Sequence, residues 1–124
     1  MFNYLKYCIK KALAILGLLH PSLGIKISPE DKVAILLQCK TPTTKIFIET
    51  GTETGWMIEK IGGNFEQVYS IELDNDLYRK CQERFKGKEW IRLLNGDSAI
   101  EIKKILSVIN NPALFWLDAH GAGT

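Results

Sequence analysis

Hydrophobic positions change period part-way along the chain. In the first forty or so residues they recur at helical spacing; from Ile46 onward they gather into short continuous runs separated by turns rich in glycine and acids. Leu5, Ile9, Leu13 and Leu16 share one helical face, with Lys6 and Lys10 off it, which predicts an amphipathic N-terminal helix. "SPEDKVAILLQCK" predicts a second helix. Ser28 suits the N-cap, Pro29 the first helical position and Glu30 and Asp31 the helix dipole, and Pro42 ends it. Then strands and helices alternate. The pattern predicts strands at Ile46–Glu49, Val68–Glu72, Trp90–Leu94 and Leu114–Leu117. Helices are predicted at Thr54–Ile61, closed by Gly62 and Gly63, at Asp76–Phe85 with Asn75 or Asp74 as cap, and at Ala99–Ile109, begun at Asp97 or Ser98.

This alternation implies right-handed crossovers and a parallel sheet with helices on both faces, a Rossmann-like α/β fold. The strands are uniformly apolar rather than alternating, as in sheets covered on both sides. The expected organisation is a helical extension over residues 1–44 and an α/β domain over residues 45–124.

Composition changes this picture little. The chain has 124 residues, 46% hydrophobic and 24% charged, which fits one globular domain. The net charge of +2 is too small to point to nucleic acid, and the surplus of lysine lies in the first 45 residues. Cys8, Cys39 and Cys81 are scattered, with no CxxC pair and no histidine at metal spacing. They read as reduced thiols, so a cytoplasmic setting is expected and a zinc site is not. The apolar run Ala12–Leu19 is far shorter than the roughly 20 residues a membrane span needs. The N-terminal helix therefore either packs on the protein or, helped by Lys6, Lys10 and Lys11, lies on a membrane surface.

In an open α/β sheet, ligands bind beyond the carboxyl ends of the strands. Each predicted strand ends there in polar chemistry: Glu49 with the turn Thr50–Gly55, Glu72-Leu73-Asp74, Asn95-Gly96-Asp97-Ser98, and Asp118-Ala119-His120. Gly51 and Gly55 permit a tight turn and close backbone approach, and the helix that follows offers free N–H groups. Glu72 follows Gly51 by 21 residues, the offset of a carboxylate that accepts from ribose hydroxyls, which points to an adenosine-containing ligand. A dinucleotide site wants a middle glycine where Thr52 stands, and Glu49 and Glu53 bring negative charge to the place a pyrophosphate would occupy. A cationic cofactor fits better.

The segments "FIETGTETG", "VYSIELD", "LLNGDSA" and "LFWLDAH", in this order and spacing, resemble the first four motifs of class I S-adenosylmethionine-dependent methyltransferases. The resemblance covers about three fifths of the chain and implies S-adenosylmethionine as cofactor and a strand order of 3-2-1-4. It implies that Glu49 faces the methionine ammonium, directly or through water, while Thr50, Gly51, Thr52 and Gly55 wrap the methionine and ribose. Glu72 would hold the ribose hydroxyls, with Leu73 against adenine, and Asp97 would accept from the adenine amino group beside Ser98. Asp118 falls near the transferring methyl, or on a metal in metal-dependent members. Asp118 and His120 are then the candidates for a catalytic base. Asp97 and Ser98 suit helix caps equally well, and Glu53 reads as a solvated loop residue.

The chain departs from this family by ending just after the fourth strand. The expected sheet is thus incomplete, with strand four an apolar edge open to pairing. The sequence reads first as a fragment of a longer enzyme, with a truncated gene product or a half that pairs with another chain as the alternatives. The acceptor is open between small molecules and glycans. A non-catalytic nucleotide-binding or scaffold module is the alternative, and a NAD-dependent oxidoreductase a weaker one.

Overall fold

A computed structural model of the chain describes residues 28–118. The expected N-terminal amphipathic helix, Cys8 and His120 lie outside the described residues. The chain divides into two units, with the boundary between Pro42 and Thr43. In the first, helix α1 runs Pro29–Cys39; the Ser28 side chain accepts from the Asp31 N–H at 3.1 Å, and the helix stops at Lys40. The serine satisfies an otherwise orphaned first-turn donor, and Pro42 holds the chain extended after the last turn.

The second unit is a parallel sheet of β1 (Ile46–Thr50), β2 (Gln67–Glu72), β3 (Ile91–Asn95) and β4 (Ala113–Leu117) in the order β3-β2-β1-β4. The helices between them are α2 (Trp56–Ile61), α3 (Asn75–Arg84) and α4 (Ser98–Val108). The Rossmann-like fold and the 3-2-1-4 order expected from the sequence are what the structure shows. β1 is central, pairing Ile48 with Tyr69 on one side and with Phe115 on the other. The reversal of direction after β3 carries the chain back across the sheet. It puts α4 on the face opposite α2 and α3, because each crossover is right-handed.

Under α4, Ile105 packs with Ile46, Ile48, Tyr69 and Ile71, flanked by Leu94, Ile102 and Phe115. On the other face Phe47 stacks on Phe65 at 5.3 Å between ring centres, near the buried Ile58, Ile61 and Val68. Every residue of β1 is buried, as the continuous apolar run implied, and so is Glu49 at its end. Among the described residues, β4 pairs with β1 alone, which leaves its other edge open. No helix among them is long and apolar enough to cross a membrane.

Strand and helix ends differ from the expected ones by one or two residues, and the difference at α2 has a clear cause. The helix begins at Trp56 rather than Thr54, because Gly55 takes a left-handed conformation, φ 80°. A Cβ there would also lie 2.6 Å from the Phe85 ring. Gly55→Ala is therefore expected to cost about 2 kcal/mol or more in urea denaturation, since it adds both overpacking and left-handed strain. Gly63→Ala, whose Cβ would meet nothing within 4 Å, is expected to change stability by under about 0.5 kcal/mol. Equal effects at the two positions would contradict this packing.

Candidate functional site

The four strands point their carboxyl ends the same way, so the turns that follow them share one rim of the sheet. The turn after β1 rises from Thr50 through Gly51, Thr52, Glu53 and Thr54 to Gly55. Its backbone alternates in hand: Gly51, Glu53 and Gly55 all have positive φ, at 81°, 50° and 80°.

Nearly every residue of this loop is fixed from β2 or α3. The Gly51 N–H donates to the Ile71 carbonyl at 2.8 Å, and the Thr52 and Ser70 hydroxyls meet at 2.6 Å. The Glu53 N–H donates to Glu72 Oε2 at 2.8 Å. Cys81 Sγ donates to the Glu53 carbonyl at 3.2 Å, and the Arg84 guanidinium donates to the Thr54 carbonyl while pairing with Glu59. Burial raises the Cys81 thiol above its ordinary range, against the pull of Arg84, and so keeps it a donor.

Glu72, buried at the end of β2, accepts a second N–H at its other oxygen, from Asp74 at 2.9 Å. One carboxylate thus ties the turn after β1 to the turn after β2. Asn95, at the end of β3, joins from the other side: its amide donates to the carbonyls of Glu72 and Leu73 at 2.8 and 3.3 Å.

Glu49 is the most deeply buried carboxyl at this rim, 1% exposed. Ser70 donates to its Oε1 at 2.7 Å, which leaves Thr52 to donate to Ser70. The order of donors follows from the serine having one proton, which it gives to Glu49 Oε1. Burial pushes the Glu49 pKa up to about 8; the Ser70 bond opposes this, and the negative charges of Asp118, Glu53 and Glu72 add to it. At neutral pH this carboxyl therefore carries its proton.

The remaining residues singled out in the sequence occupy the same rim less tightly. Thr50 and Thr52 are buried; Leu73 is exposed at the tip of β2, and Asp118 is half-buried just past β4. Asp97 is the N-cap of α4, its Oδ1 accepting the Ala99 N–H at 2.8 Å, and Ser98 is the helix's first residue. Capping occupies one Asp97 oxygen and leaves the carboxylate exposed. Ser70, Cys81, Arg84 and Asn95 were not among the expected site residues. Two of them left a signal: Asn95 in the polar cluster that closes strand three, and Ser70 as a lone hydroxyl inside the apolar run "VYSIE". Among the described residues no group of three or more His, Cys, Asp or Glu is arranged to hold a metal ion.

No protein-family model and no curated protein matches this sequence. Solved structures do match. An O-methyltransferase from Bacillus cereus, in complex with S-adenosylhomocysteine, superposes with a TM-score of 0.61 at 14% identity, over 94% of this chain and 54% of that one. The 23S rRNA methyltransferase ErmE superposes with a TM-score of 0.51 at 20% identity, over 60% of this chain and 30% of that one. The fold is that of the class I S-adenosylmethionine-dependent methyltransferases. The chain spans about half the length of the first of these structures and under a third of the second.

The buried carboxyl gives a pH signature. Glu49 titrates near 4.5 when unfolded and at about 8 when folded, so its neutral form is favoured by the fold. The stability it supplies is fully present below pH 4.5 and is lost as pH rises through about 8. The unfolding free energy of Glu49→Gln, subtracted from that of the native sequence, should therefore change by a few kcal/mol between pH 5 and pH 8.5. The native chain should be the one that loses stability, with urea denaturation as the readout. A flat difference across that range would contradict the buried neutral carboxyl.

Proposed function

We propose that this chain carries the cofactor-binding part of an S-adenosylmethionine-dependent methyltransferase. The observation that carries the proposal is the joint geometry of Glu72 and the Gly51–Gly55 loop. A carboxylate fixed by two backbone N–H groups stands at the tip of β2, beneath a loop held open by left-handed residues. A carboxylate oxygen has lone pairs to spare beyond one N–H, so Glu72 can accept from both ribose hydroxyls without giving up the loop. Leu73, exposed beside it, offers an apolar face to adenine, and the free oxygen of Asp97 with Ser98 suits the adenine amino group. Thr50, Gly51, Thr52 and Gly55 would wrap the ribose and methionine.

Glu49 is assigned to the methionine ammonium. A cation brought to this carboxyl favours its charged form, so binding would expel the proton that burial now retains. Bound cofactor supplies a methyl group already activated by the sulfonium. The protein's part is then to position the acceptor in line and exclude water. Asp118, just past β4, is proposed to take a proton from a hydroxyl or amine acceptor, with His120 as the other candidate. The acceptor is proposed to be a small molecule or a glycan, with a cytoplasmic setting. The open edge of β4 is proposed as the place where a further strand or a partner chain completes the sheet.

Calorimetric titration of the 124-residue chain with S-adenosylhomocysteine tests this. Micromolar binding is expected, weakened at least about tenfold in Glu72→Ala. Affinity should rise by about tenfold from pH 6 to pH 8 as Glu49 gives up its proton, and this dependence should vanish in Glu49→Gln. A folded chain that binds no S-adenosylhomocysteine would favour the scaffold alternative. Binding of NAD in its place would favour the oxidoreductase.

A further inference from the structure

Of the acids around the loop, Glu53 is the one whose side chain the architecture does not need. The two bonds that fix this residue, to Glu72 and from Cys81, are made by its backbone N–H and carbonyl, and a glycine would make both. Its φ of 50° is the left-handed conformation that Gly51 and Gly55 adopt freely on either side. A glutamate there is strained where a glycine would not be. Its carboxylate is exposed, at a residue whose N–H lies 2.8 Å from Glu72.

The sequence alone gave Glu49 and Glu53 a joint role in repelling a pyrophosphate. The structure separates them. Glu49 is buried with its proton on, so at neutral pH it presents no charge to the loop until a cation draws the proton off. Glu72 spends its charge on two N–H groups, and Arg84, a cation that reaches the loop, is engaged by Glu59 and by the Thr54 carbonyl. Asp118 stands across the rim at the end of β4. Glu53 is left as the exposed charge carried by the loop itself.

We infer that Glu53 determines which nucleosides the loop accepts: its carboxylate bars those with a phosphate on the 5′ carbon and admits those with a neutral or cationic substituent. The inference rests on the cofactor reading for its choice of nucleoside. Glu72 fixes the ribose, which brings the 5′ substituent under the loop. There a phosphate meets like charge, while a thioether or sulfonium does not. The selectivity comes from repulsion, and a residue tolerated in a strained conformation is its source.

The experiment is calorimetric titration of the full chain, Glu53→Gln and Glu53→Gly with adenosine, ADP and S-adenosylhomocysteine. Both variants should bind ADP at least about tenfold more tightly than the native chain, with the difference shrinking as salt rises. Adenosine affinity should stay within about twofold in all three proteins, since it lacks the charge being sensed. ADP affinity equal in all three, undetectable binding included, would overturn the inference. So would an adenosine affinity that rises in step with ADP, because that marks a change in loop shape rather than charge. The S-adenosylhomocysteine arm reads the cofactor assignment separately: failure there, with the ADP gain intact, would remove the methyltransferase reading and leave the role of Glu53 standing.

Discussion

The rim of this sheet depends on one carboxylate holding two loops. A parallel strand that ends in a turn leaves backbone N–H groups without ladder partners, and a carboxylate buried at a strand end needs donors of just this kind. Glu72 accepts one from the turn after β1 and one from the turn after β2. Around that fixed point the other contacts fall into place: Ser70 between Glu49 and Thr52, Cys81 on the Glu53 carbonyl, Asn95 on the carbonyl of Glu72 itself. The loop's shape therefore belongs to the free protein, and a ligand meets it already formed. Such preorganisation lowers the ordering cost of binding.

The same economy explains why a carboxyl can sit at the end of the central strand. Glu49 costs little when it keeps its proton and accepts from Ser70, and much when it ionises unaccompanied. A fold that buries it this way stores an affinity for a cation. Ser70 is buried with it in the middle of β2, where a hydrophobic residue would pack as well but would leave the carboxyl without a donor.

Much of the fold was legible in the sequence because it rests on local signals. Continuous apolar runs marked the four strands, capping residues such as Ser28 and Asp74 marked helix starts, and the alternation implied a parallel sheet with right-handed crossovers. The order β3-β2-β1-β4 was legible only through the resemblance of the strand-end motifs to a known family. The tips of the strands were legible too, since polar residues closing apolar runs have few other places to go. What was not legible is pairing at a distance. Thr52 meets Ser70, Glu53 meets Cys81 and Arg84 meets Thr54 across 18 to 30 residues of chain, and no spacing rule announces such contacts. The left-handed backbone of Glu53 was hidden for a related reason: that conformation is imposed by neighbours in space, and a glutamate carries no sign of it.

The central claim is that Glu72 and the loop above it form a preformed site for an adenosine cofactor. Backbone amide shifts of the nitrogen-15-labelled chain, followed during titration with S-adenosylhomocysteine, test it most directly. The N–H signals of Glu53 and Asp74, both bonded to Glu72, should move together and saturate, while those of Ile46 and Gln67, at the opposite ends of their strands, stay in place. Saturable shifts confined to other elements, or none at all in a folded chain, would contradict the account.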